Sequence, residues 1–354
     1  MKQLTQEAGE DVPLTGPGNV SLISPHDYEL AIGRCWLESA QLARKEGLLQ
    51  TAFTAILRAS ITKPPNLAIE KAKLLWEQGH QHLAIVGLQH GLSKVTAEER
   101  RSLEHANAML LVGNWMAETA RFTSDSVIKQ YEEVIKLQPA WEDCYFALAK
   151  YHDSLLIEFD EKRDPHDTSV NIQFFKEEIL PKILQAYGSS LVYGSKYIFQ
   201  ALPRLLTLWL DYGGVDLPTT GTTPVKPAKK AFRLNCIIER LINQLPAFQF
   251  IIALPQLISR ICHPSNEVFE LVEVMLDKLL CAYPQQTLWM MVALTKSTNT
   301  YRSQVSFFIF NFIIFITKVV VFEWWLASFF ILRFALSISF SLCMRIHLHI
   351  TCCI

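Results

Sequence analysis

The chain has 354 residues, 50% of them hydrophobic, with 33 basic against 34 acidic side chains and a formal net charge of −1. A chain of this length buries roughly three quarters of its unfolded surface, and its balanced charge excludes bulk attraction to nucleic acid or to an acidic membrane. The eight cysteines stand singly apart from Cys352-Cys353, with no C-x-x-C, which favours a reduced, intracellular setting over a disulfide framework.

Residues 1–23 carry no apolar h-region and read as a flexible lead-in, not a signal peptide. Order is expected from Ser24-Pro25-His26-Asp27, where a capping serine, a first-turn proline and an acid favoured by the helix dipole stand together. The first helix runs to about Lys45, with Gly47 just past its end. A second carries Ala52, Phe53, Ile56 and Leu57 and stops before Pro64-Pro65. Asn66 is placed to cap a third, which ends at Gly79, and a fourth carries Leu83, Ala84, Val86 and Leu88.

An internal repeat links these pairs. Leu42–Leu57 aligns with Leu74–Gln89 at an offset of 32 residues, matching Leu42 with Leu74, Gly47 with Gly79, Ala52 with Ala84, Phe53 with Ile85 and Ile56 with Leu88. The period is close to the ~34 residues of a tetratricopeptide unit. Thr96 with Glu99 has capping-box spacing and is expected to open a helix through Leu103, Ala106, Leu110 and Asn114-Trp115. Next comes the most regular pair. Val127, Tyr131, Val134 and Ile135 share one helical face, Pro139 ends that helix, and Trp141, Tyr145, Leu148 and Ala149 repeat the spacing.

Glu158 to Asp167 reads as a charged loop. A helical stretch covers Ile172–Tyr212, with breaks or kinks expected at Pro181 and Pro203. The Gly-, Pro- and Thr-rich run over 213–230 reads as a mobile loop. Pro246, Pro255, Pro264 and Pro284 then punctuate short helices, and no alternating strand occurs before residue 303. The fold class is therefore all-α, an α-solenoid of tetratricopeptide-like antiparallel helix pairs.

From Ser303 onward only Lys318, Glu323, Arg333 and Arg345 are charged, leaving 30 basic and 33 acidic residues in the body. Val305–Phe322 and Trp324–Cys343 are long enough to span a membrane. Windows such as FFIFNFIIF should aggregate when exposed. The 302–354 tail thus reads either as membrane-spanning or as aberrant sequence of a truncated product.

Trp141–Leu156, Leu202–Gly213, Leu254–Phe269 and Ala282–Ser297, with Asn114–Thr119, resemble the FAT domain of the phosphatidylinositol 3-kinase-related protein kinases, in its checkpoint branch. The resemblance covers about Met1 to Ser297. It implies tetratricopeptide-like repeats of the FAT region over 24–157 and continued FAT helices over 158–301, forming a collar around a C-terminal serine/threonine kinase domain. The partners it implies are that kinase domain, a second copy of the chain and the interacting protein of the checkpoint branch. The location it implies is the nucleus, in replication-stress and DNA-damage signalling. ATP and Mg would bind the kinase domain. This chain has no Gly-rich phosphate loop, no catalytic-loop Asp with a following Asn and no Asp-Phe-Gly, so it should transfer no phosphate alone. The alternative reading is a tail-anchored helical-repeat adaptor, held in a membrane through residues 305–343.

Other candidate residues have plainer readings. His80 and His82 fall on different sides of a helix, and with His90 they lack a completing Cys or carboxylate, so no metal is assigned. Cys262-His263 reads as a packed thiol beside a loop imidazole, and His152-Asp153 as the polar end of a repeat helix. Lys226, Lys229, Lys230 and Arg233 form a solvated helix start, with no direct nucleic-acid contact expected. Trp36, Trp76, Trp115, Trp141 and Trp209 are expected to wedge between repeats. No catalytic, cofactor-binding or metal residue is assigned.

Overall fold

The computed structural model describes residues 24–96, 98–161, 170–212, 229–261 and 263–292. All the regular structure among them is helical, and the chain divides into two compact units, Met1–Val95 and Thr96–Ile354. The lead-in over 1–23, nearly all of the 213–230 loop and the whole 302–354 tail lie outside the described residues. No described helix is long and apolar enough to cross a membrane.

The first unit holds α1 (Pro25–Lys45), α2 (Leu49–Thr62), α3 (Leu67–Glu77) and α4 (Gln81–Ser93), packed as the hairpins α1–α2 and α3–α4. Both first helices end alike. Gly47 and Gly79 sit at φ +76° and +84°, where a side chain would be strained. The amides of Gly47 and Leu48 donate to the carbonyls of Arg44 and Ala43, at 3.0 and 2.8 Å. Those of Gly79 and His80 donate to Trp76 and Leu75, at 3.0 and 2.9 Å. This is the Schellman arrangement, recurring at the 32-residue offset of the repeat.

Burial follows the repeat only in part. Ala52 and Ala84, and Ile56 and Leu88, are buried alike, whereas Leu42 and Phe53 are exposed where Leu74 and Ile85 are buried. Leu74 packs back into the cluster of Ala40, Ala43, Ala52, Ala55 and Ile56. Among the described residues no hairpin precedes α1 to cover Leu42 in the same way. On α4 the inward face is Ala84, Ile85 and Leu88, while Leu83 and Val86 point outward. Asn66 stands at the start of α3 but in the left-handed region, and its side chain makes no capping bond. Its carbonyl accepts from Ile69 and Glu70 instead.

The second unit opens with a correction. Glu99–Arg101 forms one 3₁₀ turn, and the true cap of α5 (Leu103–Thr119) is Ser102, which accepts from the His105 amide at 3.1 Å. Then come α6 (Ser124–Leu137), α7 (Glu142–Glu161), α8 (Val170–Tyr193) and α9 (Ile198–Tyr212). The charged run expected as a loop from Glu158 begins inside α7. Neither Pro181 nor Pro203 ends its helix. Ile179, Leu180, Ile183 and Leu184 flank the first, and Leu202, Leu205 and Leu206 the second, all buried. Burial at about 2 kcal/mol per large side chain offsets the ~3 kcal/mol cost of an interior proline. The chain instead breaks at Gly194–Tyr197, where Gly and Ser give little helical drive.

The remaining helices are α10 (Lys229–Gln244), α11 (Ala247–Ile252), α12 (Leu254–Ser259), α13 (Asn266–Ala282) and α14 (Pro284–Val292). Pro246, Pro255 and Pro284 each stand at or beside a helix start, and Pro264 stands just before one, as expected. The core of this unit runs through Leu184, Leu206, Trp209, Leu234, Leu257 and Leu276. Among them α8 packs on α7, α9 and α10, and α13 packs on α10, α11 and α14.

Candidate functional site: an aromatic groove and a buried ion pair

The site grows from the α6–α7 hairpin. Pro139 ends α6, and the Tyr145 hydroxyl donates to the Pro139 carbonyl at 2.9 Å, closing the turn. The Cys144 thiol donates to the Trp141 carbonyl at 2.8 Å, and burial pushes that thiol up to about 11. It is therefore a packing group and not a nucleophile.

The first turn of α7 is pinned to the start of α9. Glu142 accepts from the Lys196 amide at 3.0 Å, and Asp143 accepts from the Lys196 ammonium at 2.5 Å and from the Tyr197 hydroxyl. Burial works against ionised Asp143, yet these hydrogen bonds hold its carboxyl below the usual value. Phe146 stacks flat on Tyr197, with ring centroids 3.9 Å apart.

Between α5, α6, α7 and the start of α9 lies a groove of about 640 Å³, lined by Leu110, Asn114, Tyr131, Phe146, Tyr151 and Tyr197 among others. Tyr131 is almost wholly buried, and its hydroxyl donates to Asn114 Oδ1 at 2.9 Å. Burial raises the phenol well above its ordinary value, so it stays neutral. The groove offers aromatic faces and amide groups but no activated base or nucleophile.

Behind it the structure corrects a sequence reading. His152 and Asp153 do not form the polar end of a helix; both are buried, with Cys144, Ala149 and Leu156, along the inner face of α7. Asp153 receives a two-pronged guanidinium from Arg204 of α9, Nε to Oδ2 and Nη2 to Oδ1, each 2.8 Å. The Tyr187 hydroxyl of α8 donates to Oδ2 at 3.2 Å. One carboxylate thus ties three helices together. Its hydrogen bonds raise the Arg204 pKa further, and burial raises that of the Tyr187 phenol, so neither group loses its proton.

Similar links join the later helices. The Trp209 indole donates to Asn235 Oδ1 at 2.8 Å, and Asn235 Nδ2 donates to Glu267 at 3.0 Å, linking α9, α10 and α13. The Lys278 ammonium donates to the carbonyls of Ile242 and Leu245, capping the end of α10.

The other sequence candidates are placed as follows. His80, His82 and His90 lie at the start of α4 and along it. Among the described residues, no three His, Cys, Asp and Glu side chains gather to hold a metal ion. Cys262 and Lys226 lie outside the described residues, as do the side chains of Lys229 and Lys230, while Arg233 is exposed. His263 meets the Leu210 carbonyl at 3.2 Å through Nε2 and accepts the Ser265 amide at Nδ1, also 3.2 Å, fastening a loop. Trp115 and Trp209 are buried wedges, and Trp36, Trp76 and Trp141 are half-buried. Arg204, Tyr187 and Asn235 were not singled out from the sequence. The signal was faint: Asp153 continues the i, i+4 stripe of Ala149 and Leu156, and Arg204 interrupts an apolar helix.

The pattern of the FAT domain matches residues 20–207, and that of the serine/threonine-protein kinase ATR-like HEAT repeats matches residues 233–315. The serine/threonine-protein kinase ATR of rice (Oryza sativa) is 34% identical over 314 residues, covering 76% of this chain and 12% of that protein. Protein kinase rad3 of Schizosaccharomyces pombe is 30% identical over 291 residues, covering 76% of this chain and 12% of the kinase. A solved structure of the FAT and kinase domain of CtTel1 superposes with a TM-score of 0.57 at 14% identity, covering 84% of this chain and 24% of that one. The complete CtTel1 dimer with C2 symmetry gives 0.59 at 15% identity, covering 82% of this chain and 13% of that one. The chain therefore spans a small part of the length of the relatives it matches.

Proposed function

The chain belongs to the FAT-domain family, homologous to the FAT and HEAT region of ATR-type kinases, and from that premise we propose that it is a scaffold that holds an ATR-like serine/threonine kinase domain. The observation that carries this reading is the alignment of ATR-type kinases along 76% of the chain, together with a helical array whose charged groups serve as links between helices. Asp153, Arg204 and Tyr187 hold α7, α8 and α9 as one rigid piece, and such a piece transmits a partner's binding as a shift of packed helices. The chemistry of phosphoryl transfer, with ATP and Mg²⁺, belongs to the kinase domain. The further partners of this reading are the ATR-interacting protein and a second copy of the chain, and the setting is the nuclear checkpoint for replication stress and DNA damage.

The test is co-purification with the kinase domain of an ATR-like kinase expressed in trans, with phosphate transfer from labelled ATP measured for each part. The chain should retain the kinase domain and transfer no phosphate alone. Failure to retain it, or phosphate transfer by the chain by itself, would overturn the proposal.

A further inference from the structure

One face of α1 is largely apolar and uncovered among the described residues. Tyr28, Ile32, Cys35, Ser39 and Leu42 follow one another at steps of four, three, four and three residues, which aligns them in a single stripe along the helix. All five are exposed, Tyr28 by 58%, Ile32 by 50% and Leu42 by 65%. Apolar side chains lined up in this way on a surface helix mark a contact face. The internal repeat accounts for only half of it. At the 32-residue offset Cys35 and Leu42 correspond to Leu67 and Leu74, which α3 packs against the first hairpin. Tyr28 and Ile32 correspond to Ser60 and Pro64, which precede α3. With 21 residues in α1 and 11 in α3, a hairpin stacked in the manner of the repeat leaves the first half of the stripe bare. A partner helix as long as α1 covers all of it.

The charges beside the stripe select the partner. Along one flank Asp27, Arg34, Glu38 and Lys45 follow in the order acid, base, acid, base, all of them exposed. Asp27 and Lys45 each lie nine residues from position 36, and Arg34 and Glu38 each lie two residues from it, while the stripe itself is centred on Cys35. A second α1 laid antiparallel about a twofold axis at this point sets every acid opposite a base, whereas a parallel one sets like against like. Among the described residues Arg34, Glu38 and Lys45 have no other ion-pair partner, and Arg44 is already held by Glu70 and Glu77. Glu29 stands on the other flank.

We propose that α1 pairs antiparallel with α1 of a second copy of this chain. Tyr28 of one copy meets Leu42 of the other, Ile32 packs over the small Ser39, and Cys35 stands beside its own counterpart. Apolar burial supplies the attraction, and the exposed ion pairs fix the direction more than they add affinity. One helix face is smaller than the ~800 Å² per partner of a stable interface, so the pairing is expected in the micromolar range. It deepens the second-copy part of the functional reading and needs no kinase domain, so its failure is distinct from a failure to retain one.

The experiment is sedimentation velocity of the full chain in mild detergent, from about 1 to about 100 μM. The wild type should pass from monomer to dimer across that range. Glu38→Arg sets Arg34 of the other copy opposite a like charge, twice per dimer, and should weaken the dimer about tenfold. The side chain is exposed, so the melting temperature should not move. Adding Arg34→Glu exchanges the two charges and should restore the wild-type affinity. A short bis-maleimide should join Cys35 to Cys35, read by mass spectrometry as two linked copies of the tryptic peptide Cys35–Arg44, a link that only two chains can make. A monomer at about 100 μM, a dimer indifferent to Glu38→Arg, or no link between the two Cys35 thiols would overturn the pairing. A charge-exchanged variant as weak as Glu38→Arg alone would overturn its antiparallel direction.

Discussion

The two units reach the same helical architecture by different means. In the first, the meeting faces are rich in alanine, with Ala40, Ala43, Ala52, Ala55 and Ala59 all buried, and the turns are set by Gly47 and Gly79. A buried carboxylate there, Glu70, is held by Arg44 at 3.3 Å and by Lys73 at 2.9 Å, with Gln41 donating to it at 3.2 Å. In the second unit the core is built from large side chains, Trp209, Phe250 and many leucines, and helices far apart in sequence are tied by polar side chains. Small residues permit close, local hairpins whose geometry is decided by the backbone. Large residues leave more ways to pack, and a buried hydrogen bond that must be satisfied selects among them.

That contrast is testable, and the largest effect should come from the second unit. Trp209→Ala removes a fully buried indole and strands Asn235, so urea denaturation should show a loss of about 4 kcal/mol. A loss below about 1 kcal/mol would mean that the core there is plastic, and the comparison would break. Arg204→Ala leaves Asp153 buried without its counter-charge and should cost about 3 kcal/mol. Pairing it with Asp153→Ala in a double-mutant cycle should recover part of that loss; strictly additive effects would show that the ion pair does not link the helices.

A pH effect comes next. Folding holds His152 neutral, with its pKa lowered to about 4 from an unfolded value near 6.5, by burial and by Lys182. Between those values the unfolded chain binds more protons, so stability is complete above about pH 6.5 and falls as the pH drops toward 4. The loss should be of order 2 kcal/mol by pH 4.5. Denaturation midpoints of the wild type and His152→Phe, compared from pH 7 to pH 4.5, check it: the variant should lack this component of the slope. In the first unit, Gly47→Ala and Gly79→Ala meet open space, with no atom within 4 Å of the added carbon, so only backbone strain remains. Each should cost about 1 kcal/mol by thermal denaturation. Unequal costs would show that the two turns, alike in hydrogen bonding, are not equivalent in energy.

Much of the chain was legible before its structure. The repeat of Gly47 and Gly79, the proline-marked helix starts and the buried face of Val127, Tyr131 and Val134 follow from local rules, because capping, φ preference and periodicity act within one or two turns. The misreadings share a different origin. Thr96 and Glu99 had the right spacing for a cap, but Ser102 opens the helix. Pro181 and Pro203 had the right chemistry for breaks, but packing on both sides carries the helices through.

The amino-acid sequence by itself determined that this protein is helical and where most of its described helices begin and end. Only the tertiary structure decided that Asp153 meets Arg204 across 51 positions, and that His152 faces a cavity instead of solvent. Local signals are written in neighbouring residues. A buried charge finds its partner by which helices come together, and that depends on the burial of apolar surface along the whole unit at once.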